Sequence, residues 1–266
     1  MTTLTTAAAA LWRGATYPLR SSTPVVHFSF HKNLTKYYNR VAETFAYATG
    51  RQRAHFNSNI TTFAQAQPQL DMASVNNHFV DLAQLSNAPR ASLFVRDPRD
   101  LVVSGYFYHK RGAEKWCHMV DPAPEDWRHV NSAVPPQMRQ GESFTDCLNR
   151  LPLAEGLMAE IAFRTHHFDA MAQWLASPPS DLLILRYEDI LGNEPAAFEA
   201  LAAHYGFNRA ERALWRRIAG GYAATKSLSK HVRNPSSGQW HDVFPPQVAT
   251  AFNDSFSDLM EFSGYD

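Results

Sequence analysis

Residues 25–36 read Val25-Val26-His27-Phe28-Ser29-Phe30-His31-Lys32-Asn33-Leu34-Thr35-Lys36. The first five form a short β-prone run and the next few a polar turn. From there Leu34, Tyr38, Val41 and Phe45 recur on one helical face across 34–47. The same order of strand, loop and helix returns at Ser92-Leu93-Phe94-Val95, which ends in Arg96-Asp97-Pro98-Arg99-Asp100 and leads into a helical stretch at 101–110. Leu182-Leu183-Ile184-Leu185 is a third buried-type strand. Strands alternating with helices imply right-handed crossovers, so the pattern predicts a single-domain α/β fold with a mainly parallel central sheet flanked by helices. In such sheets ligands sit at the carboxyl ends of the strands, and the three loops are expected to converge there.

The chain has 266 residues, 45% of them hydrophobic, enough for a substantial core in one large domain. Its 25 Lys+Arg balance 25 Asp+Glu, so no long-range field draws it to nucleic acid or an acidic membrane, and any anion site must be local. Cys117 and Cys147 are too few for a disulfide framework and too far apart for a CxxC motif, which fits a reduced, cytoplasmic setting. The apolar run 7–12 is far shorter than a spanning helix and lacks a basic segment before it, so neither anchor nor secretory signal is expected. Residues 1–24 carry Arg13 and Arg20, many hydroxyls and no acid. They read as an N-terminal arm, with a transit peptide as the other reading of that composition. The domain proper is placed at 25–266, and nothing in the sequence speaks to oligomeric state.

Within the domain, 153–175 places Leu157, Ile161, Phe168, Met171 and Leu175 on one stripe, the pattern of a helix packed on the sheet. Periodicity fails across 111–152, where Trp116, His118, Trp127, His129 and Pro135-Pro136 point to an irregular insertion that shapes an acceptor pocket. A helix at 196–204, a polar stretch at 231–241 and a helix at 247–262 complete the chain.

Three segments carry chemistry. At the first strand-to-helix turn, His31 to Lys36 combine helix-start N–H groups, lysines and a hydroxyl, the elements of a phosphate cradle, although the GxxxxGK[ST] pattern is absent. A surface turn that happens to hold lysines is the plainer reading of that segment alone. In the second, Arg96 at a strand end and Ser104 two helical turns on can face one anion, Arg with a planar fork and Ser with a hydroxyl. A turn ion pair between Arg96 and Asp97 is the alternative. The third, His231-Val232-Arg233-Asn234-Pro235-Ser236-Ser237-Gly238-Gln239-Trp240, is a basic loop able to wrap an anion with backbone N–H groups, or simply a surface loop.

In this order the segments resemble the sulfotransferases that use 3′-phosphoadenosine 5′-phosphosulfate (PAPS), and the resemblance runs from Val25 to Phe244. It implies that family's P-loop-like fold and transfer of a sulfuryl group to a hydroxyl or amine of a small-molecule or carbohydrate acceptor, leaving 3′,5′-adenosine bisphosphate and requiring no metal. The family's 5′-phosphosulfate loop maps onto His31, Lys32, Asn33, Leu34, Thr35 and Lys36, with Lys32 as the lysine that bridges to the sulfuryl group. Its 3′-phosphate segment is similar to Arg96 through Asp100 followed by Ser104, and its YED motif to Tyr187-Glu188-Asp189, with Tyr187 toward adenine. Its closing loop is similar to 233–244, which assigns Arg233, Asn234 and Gly238 to the cofactor. Ser227-Leu228 stands where the family has Ser and an adenine-stacking aromatic.

The departures are physical ones. Asn33-Leu34 replaces a small residue and Gly, Lys36 replaces a hydroxyl, and Arg233-Asn234-Pro235 offers one cation and one N–H fewer than Arg-Lys-Gly. An acceptor must also lose a proton. His78 lies roughly where the family has its catalytic histidine, with His109 and His118 as competitors and a structural histidine as the plainer reading. The aromatic stretch 106–127 offers acceptor contacts or ordinary core packing. Two other functions remain open: an ATP-dependent small-molecule kinase using Asp97 or Asp100 for its metal, and a catalytically silent nucleotide-binding module.

Overall fold

The computed structural model describes residues 23–222 and 236–265, so most of the 1–24 arm lies outside the described residues. β1 (Val25–Ser29) is buried along its whole length and leads into α1 (Thr35–Thr49). β2 (Arg53–Phe56), α2 (Ile60–Ala66) and β3 (Met72–Asn76) follow, then β4 (Arg90–Val95) and α3 (Pro98–Lys110). The middle of the chain holds α4 (Phe144–Arg150), α5 (Leu153–Phe163) and α6 (Thr165–Ala176). The last strand, β5 (Leu183–Arg186), runs directly into α7 (Tyr187–Ile190), α8 (Glu194–His204) and α9 (Arg209–Tyr222). Beyond residue 235 come α10 (Trp240–Val243), α11 (Pro246–Ser255) and α12 (Ser257–Ser263). No helix among the described residues is long and apolar enough to cross a membrane.

The five strands pair in parallel in the order β2-β3-β1-β4-β5. After β1 the chain moves toward β2, whereas after β4 it moves toward β5. The connections therefore diverge at the β1–β4 pair, and a crevice opens at the carboxyl ends of these two strands. The parallel sheet is covered on both faces, which explains why its central strands read as nearly continuous apolar runs. Period-2 alternation then sorts β1 between two cores. Val26 and Phe28 pack with α3, α5, α6, α11 and α12, while Val25 packs with α1, α8 and α9. On the α1 face the buried His27 stacks on Tyr38 at 3.6 Å and bonds Ser92 through Nδ1 at 2.8 Å, while its Nε2 finds no partner among the described residues.

Several sequence expectations need correction. β2 and β3 had no counterpart in the reading. The 153–175 stripe is two helices, because Arg164 (φ −91, ψ 1) interrupts the helix where its buried guanidinium turns toward the β1 loop. The 247–262 helix likewise divides, at Phe256 (φ −131). The 111–152 segment is not wholly irregular. It holds 3₁₀ turns at Lys115–His118 and Pro124–Val130, and α4 begins with a capping box in which Ser143 and Asp146 bond each other's backbone N–H. Trp127 is 0% exposed and Trp116 stacks on Phe163 at 5.2 Å, so these two aromatics build core.

One helical glycine marks a close approach. A Cβ on Gly105 of α3 would lie 2.0 Å from Glu160 Oε1 and 2.2 Å from Arg164 Nη2, whereas one on Gly220 of α9 would meet nothing nearer than Pro195 at 3.9 Å. Gly105→Ala is expected to lose about 1–3 kcal/mol in urea unfolding. Gly220→Ala should be neutral or gain up to about 1 kcal/mol.

Candidate functional site

The loop after β1 is shaped by two non-glycine residues in left-handed backbone, Lys32 (φ 73) and Leu34 (φ 56). Leu34 takes this conformation at the position where the sequence resemblance places Gly, which for an L-residue costs about 1–2 kcal/mol. The surroundings hold it there. Asn33 N–H donates to Phe30 O at 3.0 Å and His31 N–H to Asn77 Oδ1 at 2.7 Å. Thr35 Oγ1 donates to Phe30 O at 3.2 Å and pairs with Ser29 Oγ at 2.9 Å, while Ser29 Oγ donates to Asn76 Oδ1 at 2.9 Å. The first bond of the α1 ladder is Tyr38 N–H to Leu34 O at 2.9 Å, so the N–H groups of the helix's opening residues lack intrahelical acceptors. Asn33 is 0% exposed, and neither of its side-chain amide atoms has a hydrogen-bond partner among the described residues.

Lys32 extends its ammonium 3.7 Å from the centre of the Tyr108 ring. Burial, followed by the charges of Arg164, Arg111, Lys36 and Arg96, pulls its pKa down to about 7. No described carboxylate lies within ion-pair distance of it. A half-buried ammonium among cations, with no acid of its own, is short of one anion.

Across the crevice, Arg96 leaves the end of β4 and donates through Nη1 to Lys32 O at 3.3 Å and through Nη2 to Ser236 O at 3.4 Å. Its guanidinium lies 4.0 Å over the Tyr187 ring and 3.6 Å from Asp100. Asp97 caps α3 by accepting from Arg99 N–H at 2.9 Å and also holds the Arg99 guanidinium, so its carboxylate serves Arg99 and not the turn pair with Arg96 that is the alternative reading. Along α3, Asp100, Ser104 and Tyr108 succeed one another at i, i+4 and i+8 on one face. Asp100 accepts from Gly238 N–H at 2.7 Å and Trp240 N–H at 3.1 Å, and Tyr108 carries Lys32. Half-buried Ser104 stands between them. Gly238 (φ 74) uses left-handed backbone to present its N–H to Asp100.

The structure thus brings the loop 31–36, Arg96, Ser104, Tyr187 and Gly238 to one crevice. Ser227, Leu228, Arg233 and Asn234 lie outside the described residues. His78 stands one residue beyond Asn77, the residue that bonds the β1 loop, and its Nε2–H donates to Ser58 O at 3.1 Å. Burial lowers its pKa, so the ring is neutral near pH 7 with Nδ1 as its acceptor nitrogen. His109 is 0% exposed and bonded to Glu160, and the exposed His118 donates to Gly112 O at 3.0 Å.

Sequence reasoning missed Asn77, Glu160 and Arg164, and it placed Tyr108 only within the aromatic stretch 106–127 offered for acceptor contacts, not beside Lys32. Asn77 (φ 61) was legible as an Asn at a strand end, a residue that tolerates left-handed backbone and bonds nearby main chain. Glu160 and Arg164 were legible as an i,i+4 ion pair inside an otherwise apolar stretch.

A family model for a sulfotransferase domain matches residues 83–264, beginning after the β1 loop and including Arg96, Ser104 and Tyr187. Similar solved structures include mouse sulfotransferase SULT7A1 complexed with PAP, at 15% identity and TM-score 0.54, covering 92% of this chain and 90% of that one. Another is retinol dehydratase in complex with androsterone and inactive cofactor PAP, at 14% identity and TM-score 0.53, covering 90% of this chain and 81% of that one. At such identities the likeness is one of fold. No curated protein matches significantly.

Asp100 holds the segment after residue 235 through two charge-assisted bonds to main-chain N–H groups, each worth about 1.5–3 kcal/mol. Asp100→Ala is expected to strip hydrogen-exchange protection from the amides of Gly238 and Trp240 while those of β1 keep theirs. Unchanged protection at both amides would show that another group holds the segment.

Proposed function

This chain belongs to the sulfotransferase-domain family, and on that premise we propose that it transfers a sulfuryl group from PAPS to a hydroxyl or amine of a small-molecule or carbohydrate acceptor. The observation that carries the reading is the Lys32 ammonium, which has no carboxylate within ion-pair distance among the described residues, lies over the Tyr108 ring, and belongs to a left-handed backbone position whose main-chain oxygen accepts from Arg96. Beside it stand Asn33, whose buried side-chain amide has no hydrogen-bond partner among the described residues, and the start of α1, where the helix dipole favours negative charge.

When bound, PAPS supplies the sulfuryl group and leaves as adenosine bisphosphate. Lys32 is the group to neutralise charge as it builds on the bridging oxygen, the largest electrostatic demand of in-line transfer. Thr35 and Lys36, with the loop backbone from His31 to Leu34, take the 5′ end. Arg96 and Ser104 take the 3′-phosphate, and Tyr187 with Ser227 and Leu228 takes the adenine. Arg233, Asn234 and Gly238 belong to the loop that closes over the nucleotide. His78 is the proton acceptor in this scheme, since its neutral ring keeps Nδ1 available after Nε2–H is spent on Ser58.

Adenosine 3′,5′-bisphosphate is expected to raise the melting temperature by several degrees and ATP with Mg²⁺ to do so far less. An acceptor panel with labelled donor, read by mass analysis for an added sulfo group, then separates an active enzyme from a silent binding module. Stabilisation by Mg²⁺ and ATP alone would overturn the reading.

The low pKa of Lys32, about 7 in the free protein, sets a pH dependence. A phosphate placed against the ammonium raises that pKa. Above pH 7 the free protein has lost a proton that the complex keeps, so binding takes up a proton and weakens as pH rises. Calorimetry with adenosine 3′,5′-bisphosphate between pH 7 and 9 is expected to show Kd rising by up to about tenfold per unit, with the slope abolished in Lys32→Arg.

A further inference from the structure

On the opposite face of the sheet from α1, a buried polar cluster presses against the β1 loop. Glu160, Arg164 and His109 are each 0% exposed. Glu160 Oε1 accepts from Arg164 Nε–H at 2.7 Å and Oε2 from His109 Nδ1–H at 2.7 Å, so both carboxylate oxygens are engaged. Arg164 directs the rest of its guanidinium at one residue. Nη1 donates to His31 O at 3.3 Å, and Nη2 lies 3.5 Å from His31 Nδ1. Glycine at 105 is what lets this pair come so close to α3.

Guanidinium donates and never accepts, and it keeps its proton at any working pH. The His31 nitrogen that faces it must therefore offer a lone pair, which puts the ring proton of a neutral imidazole on Nε2. Burial, more than the groups around it, keeps the ring neutral. Lys32 comes from its own loop, His109 from α3, Arg164 from the α5–α6 junction and His167 from α6, and burial together with these groups drives the His31 pKa well below 6.5. Glu160, the acid of the cluster, is already held by Arg164 and His109. The Nε2 edge has no protein partner among the described residues, and the His31 ring lies 5.5 Å from the Tyr108 ring that carries the Lys32 ammonium.

We propose that Arg164, clamped by Glu160, is a positioning residue that fixes His31 as a neutral imidazole whose Nε2–H is donated to the anionic group held by Lys32. His31 is then a hydrogen-bond donor to the transferred group and not the base that deprotonates the acceptor. The proposal rests on the sulfotransferase reading and assigns a role to a residue pair outside the loop itself. A preorganised donor of this kind stabilises developing charge without having to reorient at the moment of reaction.

The direct test is the imidazole ¹⁵N spectrum of the full chain, with His31 assigned by its absence in His31→Gln. The expected result is an Nε2–H tautomer that does not titrate between pH 5.5 and 8.5, with Arg164→Lys retaining it. An Nδ1–H tautomer, or a ring titrating near 6.5, overturns the proposal without reference to activity. In turnover, His31→Leu is expected to lose about 100-fold in kcat with little change in donor KM. His31→Gln, which keeps an N–H donor near the same place, should recover at least about tenfold of that loss with the acid limb of the pH profile intact. If Gln is as poor as Leu, or if the acid limb vanishes in His31→Gln, the donor role is wrong. If the wild-type chain transfers no sulfuryl group to any acceptor, the donor role falls with the sulfotransferase reading, while the ¹⁵N spectrum still decides the Arg164–His31 geometry.

Discussion

Arg96 donates to the main-chain oxygen of Lys32, and that bond ties the loop after β1 to the loop after β4. It forms because β1 and β4 are paired neighbours whose connections leave in opposite directions, so their carboxyl ends face one crevice. The same guanidinium reaches Ser236 O and covers the Tyr187 ring, drawing in the segment after residue 235 and the end of β5. Four stretches far apart in sequence thus meet at one side chain.

The crevice carries an electrostatic imbalance. Arg96 and Arg164 lie close enough to Lys32 to depress its pKa, and the nearby acids Asp100 and Glu160 pair with those two arginines rather than with the lysine. Asp100 is bonded to two backbone N–H groups, and Glu160 to Arg164 and His109. A largely buried cation without an anion is costly, and an anionic ligand placed against Lys32 is the kind of group that removes the cost. Backbone strain points the same way. Left-handed Leu34 stands where Gly would be unstrained, so the loop holds its curvature through packing and hydrogen bonds to Asn76, Asn77 and Phe30.

The histidines around the site differ by the partner each nitrogen finds. His78 spends Nε2–H on a carbonyl and keeps Nδ1 as acceptor, whereas His31 meets a guanidinium at Nδ1 and keeps Nε2–H as donor. His109 gives Nδ1–H to Glu160 and lies sealed in the core. Three rings of one chemical type are thereby set to different proton positions by fixed neighbours.

Much of this architecture could be read from local pattern. β1, β4 and β5 are apolar runs, α1 and α3 have a 3.6-residue period, and the residues of the strand-end turns are legible because strand period and turn chemistry depend on neighbours in sequence. β2 was hidden because Arg-Ala-His-Phe is a half-exposed edge, and β3 because Met-Ala-Ser-Val-Asn carries small and polar residues inside a fully buried strand. The break at Arg164 could not be read, since the stripe of Leu157, Ile161, Phe168 and Met171 continues across it and the interrupting residue's partner is His31, 133 residues away. Which loops meet, which nitrogen of a histidine is blocked and which lysine lacks an acid among the described residues are set by distances between side chains remote in sequence. Those distances follow from strand order and from packing on both faces of the sheet, quantities that no window of neighbouring residues contains.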